Sequence, residues 1–269
     1  MHRALGLVLM MTSLLVSGNP TLARSDPEES QEFLPTVPAE VAGLSKDGNQ
    51  GWVREKLDEL ERRLTQRSRD TPPPVKVEGD HVVMTWLDTQ GSVQTWRVAM
   101  DTVNMLKQRP RPARHVLLRG ESKRYRAIDF RPFVDPQPFA QLARDMRARA
   151  GSDDAYMEDV LAMVSQLTSY LQDVEEGARW PLETLVEAGG DCEDTSILIA
   201  TLLVASGRPY HVDFVYFDVK NPDAAGRVNH VALHVTLPGG TRRLVESTAK
   251  IGDRNYIRMP LVAGWYVGM

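Results

Sequence analysis

From Tyr156 to Val174 apolar residues recur at helical spacing. Met157, Val160, Leu161, Val164, Leu167 and Leu171 fall on one face and predict an amphipathic helix. A second run, Ile197-Leu198-Ile199-Ala200-Thr201-Leu202-Leu203-Val204, is apolar nearly all round and predicts a buried helix at the centre of a domain. Shorter helical patterns cover 139–150 and 52–67, the latter with Trp52, Leu57, Leu60 and Leu64 on one face. Alternating patterns predict strands instead. Residues 81–86 and 93–98 flank Asp88-Thr89-Gln90-Gly91 as a hairpin. Residues 210–219, 229–237 and 242–248 follow the buried helix, the last two joined by Pro238-Gly239-Gly240. A helix followed by a run of antiparallel strands is an α+β order.

The remaining stretches set the boundaries. Residues 24–50 are polar and irregular, and three consecutive prolines in 70–74 read as a linker. The organisation expected is therefore a leader over 1–23, then a polar lead-in, helix and linker over 24–74. A hairpin and helical extension covers 75–150, and the core domain 151–269. The leader has His2-Arg3, an apolar run from Ala4 to Val16, and Thr21-Leu22-Ala23 as a cleavage pattern, with Gly18 an alternative cut point. That is a secretory signal, so the expected location is periplasmic or extracellular. The apolar run is too short to span a membrane, and the mature form is expected to have no membrane segment. A net charge of -4 offers no field for nucleic acid. The short basic run from Arg109 to Arg114 reads as a solvated loop.

Export changes the meaning of the one cysteine, Cys192. A lone cysteine cannot form an internal disulfide, and in an oxidising compartment it points to an intermolecular bridge or a reactive thiol. It follows Gly189-Gly190, read as a sharp turn, and Asp191, read as an N-cap, at the start of the buried helix. In a first helical turn, free N–H groups and the helix dipole favour the thiolate. On local geometry alone a small buried hydrophobe remains the other reading.

A thiol nucleophile needs a base, and the base needs an orienting acceptor. The second strand supplies His230 and His234, opposite in pleat to Val231, Leu233, Val235 and Leu237. If the histidine face met the cysteine helix, an imidazole would lie beside the thiol. Glu246 is the candidate acceptor, because a carboxylate in an otherwise apolar strand is costly unless paired.

The segment Tyr170…Pro181-Leu182-Glu183-Thr184-Leu185…Gly189-Gly190-Asp191-Cys192-Glu193-Asp194, then Leu202-Leu203…Gly207, resembles the transglutaminase-like superfamily. The likeness is to its prokaryotic cysteine peptidase branches and covers about residues 155–250. It implies a papain-like core, with a central cysteine-bearing helix packed on an antiparallel sheet. It also implies a Cys-His-acid triad of Cys192, His230 and Glu246. Asn229-His230-Val231 fits the family's histidine better than His234 does, and Glu246-Ser247-Thr248 stands where the family usually has D-x-T.

The expected activity is cysteine hydrolysis or acyl transfer on a protein or peptide substrate through a thioester. The other reading is an inactive domain of the same fold that binds a protein or cell-wall partner. One oxyanion donor would be the Cys192 N–H; Gln172 and Trp180 are candidates for a second. No cofactor is required. Calcium on Glu193 and Asp194, or on Asp213, Asp218 and Asp223, is the alternative use of those carboxylates.

Overall fold

The computed structural model describes residues 31–36, 74–170, 177–247 and 261–269. The expected leader, the 52–67 helix, the proline linker, Gln172 and Thr248 lie outside the described residues. These described residues belong to one compact unit.

Strand β1 (Glu32–Phe33) is followed by β2 (Val75–Glu78), β3 (His81–Leu87) and β4 (Val93–Ala99), which form an antiparallel sheet in that order. The expected hairpin is β3–β4, closed over Asp88, whose Oδ1 accepts from the N–H groups of Gln90 and Ser92. Helix α1 (Met100–Lys107), β5 (His115–Arg119) and β6 (Arg124–Ile128) come next, with β1 pairing β5 in parallel. α2 (Ala140–Arg149) leads to α3 (Asp153–Leu167), which starts on the Ser152 cap, its Oγ accepting from Ala155 N–H.

α3 ends earlier than its apolar spacing predicts. Thr168 turns the chain, and Ser169 N–H donates to the Ala188 carbonyl. This opens β7 (Ser169–Tyr170), which pairs in parallel with β8 (Gly189–Gly190). The two glycines are therefore a strand rather than the expected turn. The sharp bend is at Ala188, at a φ of 51°. Between these strands α4 (Pro181–Val186) begins with Pro181 at its first position, where a missing N–H costs nothing.

The cysteine helix, α5 (Cys192–Ala205), is buried throughout from Asp194 to Leu203, as its all-round apolar pattern predicts. β9 (His211–Phe217), β10 (His230–Thr236), β11 (Arg242–Val245) and β12 (Gly264–Gly268) form the main sheet in the order β11-β10-β9-β12, every pair antiparallel. The fold is thus α+β, with a cysteine-bearing helix on an antiparallel sheet. β12, like β5 and β6, is a strand that the local pattern does not announce; it completes the edge of β9.

The two faces of the sheet differ. Val231, Leu233, Val235, Phe214 and Tyr216 share a core with α5, α3 and the β3–β4 hairpin. Ala232, Val215, Phe217, Leu244 and Val262 form a second cluster on the reverse face. The apolar face of β10 therefore meets the cysteine helix, and the histidine face does not. The Arg109–Arg114 run is the exposed loop expected, and its arginines make ion pairs from it. Arg109 pairs with Asp135 (2.7 Å), Arg111 with Glu183 (2.9 Å) and Arg114 with Asp129 (3.1 Å).

Candidate active site

The site is built where β8 hands the chain to α5. Asp191 is the N-cap, its carboxylate accepting from Asp194 N–H at 3.4 Å, and Cys192 is the first helical residue. A residue at that position has no intrahelical partner for its N–H. Gly190 is needed because an added Cβ would lie 2.6 Å from Asp194 Cβ and 2.8 Å from its Oδ2. Asp194 is itself buried, holding the Arg179 guanidinium at 2.5 Å and the Arg179 N–H at 2.7 Å. The glycine, the aspartate and the arginine together fix the first turn of α5 against the segment that begins α4.

His230 stands at the first position of β10. Its Nε2 lies 2.7 Å from Glu246 Oε2, and the carboxylate is 1% exposed. Glu246 comes directly after β11, the strand beside β10, so adjacent strands deliver the pair. The imidazole lies close enough to the Cys192 thiol for each to shift the other's titration. With Nε2 engaged by Glu246, the second ring nitrogen is the one left for sulfur. The ring sits edge-on to Phe217, with centroids 5.2 Å apart. Although most of the histidine face of β10 looks away from α5, its first residue is level with the helix start.

A hydroxyl clamp holds strand and helix in this relation. Ser247 Oγ donates to the Cys192 carbonyl (3.1 Å) and accepts from Thr195 (3.0 Å) and Ser196 (2.9 Å). Its position next to Glu246 was the available signal in the sequence.

His234 goes elsewhere. It is held by Asp213 at 2.7 Å on the reverse face, with Tyr266 edge-on to the ring. Trp180 is buried and aims its indole N–H at the Arg109 carbonyl (3.4 Å), under the Arg109 guanidinium, so that donor is committed to structure.

The first-turn acids act against the expectation that the helix start favours thiolate. The thiol donates to Glu193 Oε2 at 3.1 Å. Burial pushes the Cys192 thiol up, His230 draws it down, and the Glu193 charge adds to the rise, which prevails. Burial would lower the His230 imidazole, but Glu246 and the thiol outweigh it and hold it well above its ordinary value. Asp191 is pushed up to about 8 by burial and then by the neighbouring Glu193 carboxylate.

Asp191, Cys192 and Glu193 bring donor atoms within 4.8 Å of one another. Two carboxylates crowded in this way accept either a shared proton or a hard cation; calcium would take the oxygens and leave the sulfur. Of the calcium sets expected from sequence, Asp194 is taken by Arg179. Asp213, Asp218 and Asp223 do not gather as a ligand group among the described residues.

The strain on Asp191 has a measurable consequence. A carboxyl whose folded pKa is raised costs nothing below the unfolded value of about 4, and costs progressively more as pH rises toward 8. Asparagine keeps the cap without the charge. Asp191→Asn is therefore expected to match the parent's melting temperature near pH 4 and to exceed it increasingly up to pH 8. A constant difference between the two across that range would contradict this.

No family model and no curated protein matches the chain. Among solved structures it is similar to a "Putative Cysteine Protease" from Cytophaga hutchinsonii, at 18% identity and TM-score 0.38 over 50% of this chain and 45% of that one. It is also similar to a "Putative Protease" from Parabacteroides distasonis, at 18% identity and TM-score 0.34 over 46% and 25%. LapG from Legionella pneumophila (EGTA-treated) aligns at 20% identity and TM-score 0.33 over 49% and 80%. The chain thus spans less than half the length of the first two, and likeness of this degree carries no functional weight. Helix-borne cysteine, strand-borne histidine and a carboxylate after the next strand come in the order that the resemblance to the transglutaminase-like superfamily implies.

Proposed function

We propose that the protein is an exported cysteine hydrolase or acyltransferase acting on peptide or carboxamide bonds. The observation that carries this reading is the His230 Nε2–Glu246 pair at 2.7 Å, set close enough to the helix-start thiol of Cys192 for imidazole and thiol to shift one another's titration. With the imidazole neutral, the thiol loses its proton to His230 as sulfur attacks the carbonyl carbon, forming the S–C bond and pushing the π pair onto oxygen. The oxyanion collapses, the C–N bond breaks, and the imidazolium returns its proton to the leaving amine. Water or a second amine then takes the acyl group from sulfur. Glu246 supports this cycle by stabilising the imidazolium and holding the ring's tautomer.

Burial, with Glu193 adding to it, favours the protonated thiol, which suits a nucleophile ionised only when a neutral His230 acts as its base. The test is incubation of the protein with a complex peptide mixture, with and without a primary amine. New peptide termini or amine adducts are expected, lost in Cys192→Ala and reduced about 10²–10⁴-fold in His230→Ala. Products equal to those of Cys192→Ala would overturn the reading and favour a binding module.

A further inference from the structure

We propose that the Tyr170 hydroxyl is the second oxyanion donor of this site, acting opposite the Cys192 N–H on the oxygen of the tetrahedral intermediate. The inference rests on the function proposed above and names a residue that the triad does not include.

The geometry begins with β7 and β8. Tyr170 is in register with Gly190 in a parallel pair. Residues paired in register project to the same side of a sheet. The direction in which Gly190 would project is marked by what an added Cβ would strike, namely Asp194 in the first turn of α5. Tyr170 therefore leaves the strand toward the start of the cysteine helix, with a side chain long enough to reach past its own turn.

The electrostatics agree. Burial, and then the charges of Cys192, Asp191, Glu193 and Glu246, push the phenol up to about 12. A phenol kept protonated at neutral pH is a donor, and these four groups are the site's own acids and thiol.

Availability is the third observation. Tyr170 is 42% exposed, and among the described residues its hydroxyl has no hydrogen-bond partner. The other polar hydrogens around α5 are spent. Thr195 and Ser196 donate to Ser247, Ser247 to the Cys192 carbonyl, and Trp180 to Arg109. An uncommitted O–H projecting toward the helix start, together with an uncommitted first-turn N–H, is what an oxyanion requires: two donors on one oxygen, with no donor withdrawn from the fold to serve it.

As sulfur adds to the carbonyl carbon, the carbonyl π electrons move to oxygen. That oxygen accepts hydrogen bonds from Cys192 N–H and Tyr170 O–H until the C=O re-forms and the leaving group departs. Neither donor transfers its proton.

Two reagents separate this role from packing. p-Nitrophenyl acetate acetylates a thiol through an oxyanion, releasing p-nitrophenolate; iodoacetamide alkylates it by displacing iodide, with no oxyanion. On the full chain, Tyr170→Phe is expected to slow acetylation of Cys192 by about tenfold or more and to leave alkylation within about twofold. Equal slowing with both reagents, or no slowing with the ester, would overturn the assignment. His230→Ala run in parallel keeps the readings distinct. If it changes neither rate while Tyr170→Phe still slows only the ester, the donor stands and the triad falls.

Discussion

His230→Ala is expected to move the alkylation profile of Cys192 to higher pH, and Glu193→Gln to move it to lower pH. The two neighbours pull the thiol in opposite directions. His230 stabilises the sulfur's anion, whereas Glu193 accepts a hydrogen bond from the thiol at 3.1 Å and repels the charge that loss of its proton would leave. Removing the histidine leaves burial and Glu193 unopposed, so less thiolate is present at any pH below the transition. Removing the Glu193 charge takes away both the acceptor and the repulsion, so more is present. With unit charges this close and partly buried, each change is expected to alter the iodoacetamide rate at pH 7 by about tenfold or more. Stopped-time labelling and intact-mass detection from pH 5 to 10 measure it. A Glu193→Gln profile at or above the parent's would show that this carboxylate does not restrain the thiol.

Gly190→Ala carries the second large effect. The new methyl would lie 2.6 Å from Asp194 Cβ, an atom that cannot swing away as the end of a long side chain could. Asp194 is 1% exposed and anchored by Arg179, so relief requires moving the first turn of α5 or breaking that ion pair. Overpacking of this kind costs about 1–3 kcal/mol, and a buried charge left without its partner costs more. The melting temperature should fall by several degrees, and Cys192 labelling should change with it, since the shifted turn carries the thiol. Gly207→Ala is the contrast. Nothing crowds an added Cβ there, and its φ of 74° makes the cost one of backbone strain alone. Equal stability of Gly190→Ala and the parent would refute the packing argument.

Much of this site was legible because its parts are local. The apolar run after Cys192 could only be a buried helix, and Asp191 before it could cap. Val231, Leu233 and Val235 fixed the pleat of β10, and Glu246 stood out as a carboxylate among apolar neighbours. What escaped local reading depends on partners distant in sequence. Gly189 and Gly190 look like a turn, yet β7 across the α4 segment makes them a strand, and the bend falls on Ala188. The cap and dipole suggest a thiolate at the helix start, but Glu193 folds back onto the sulfur. The pairing as read from sequence was conditional on the histidine face of β10 meeting α5; the apolar face meets it, and only His230, at the strand's end, comes near the thiol. Trp180 looked free to donate until Arg109 took its N–H.

The most direct test of the central claim is acid quenching of the protein during reaction with the peptide mixture, followed by mapping of any covalent acyl group. A thioester on Cys192, accumulating in the parent and absent from Cys192→Ala, is the predicted result. Peptide cleavage with no acyl group on Cys192, or cleavage that persists in Cys192→Ala, would contradict it.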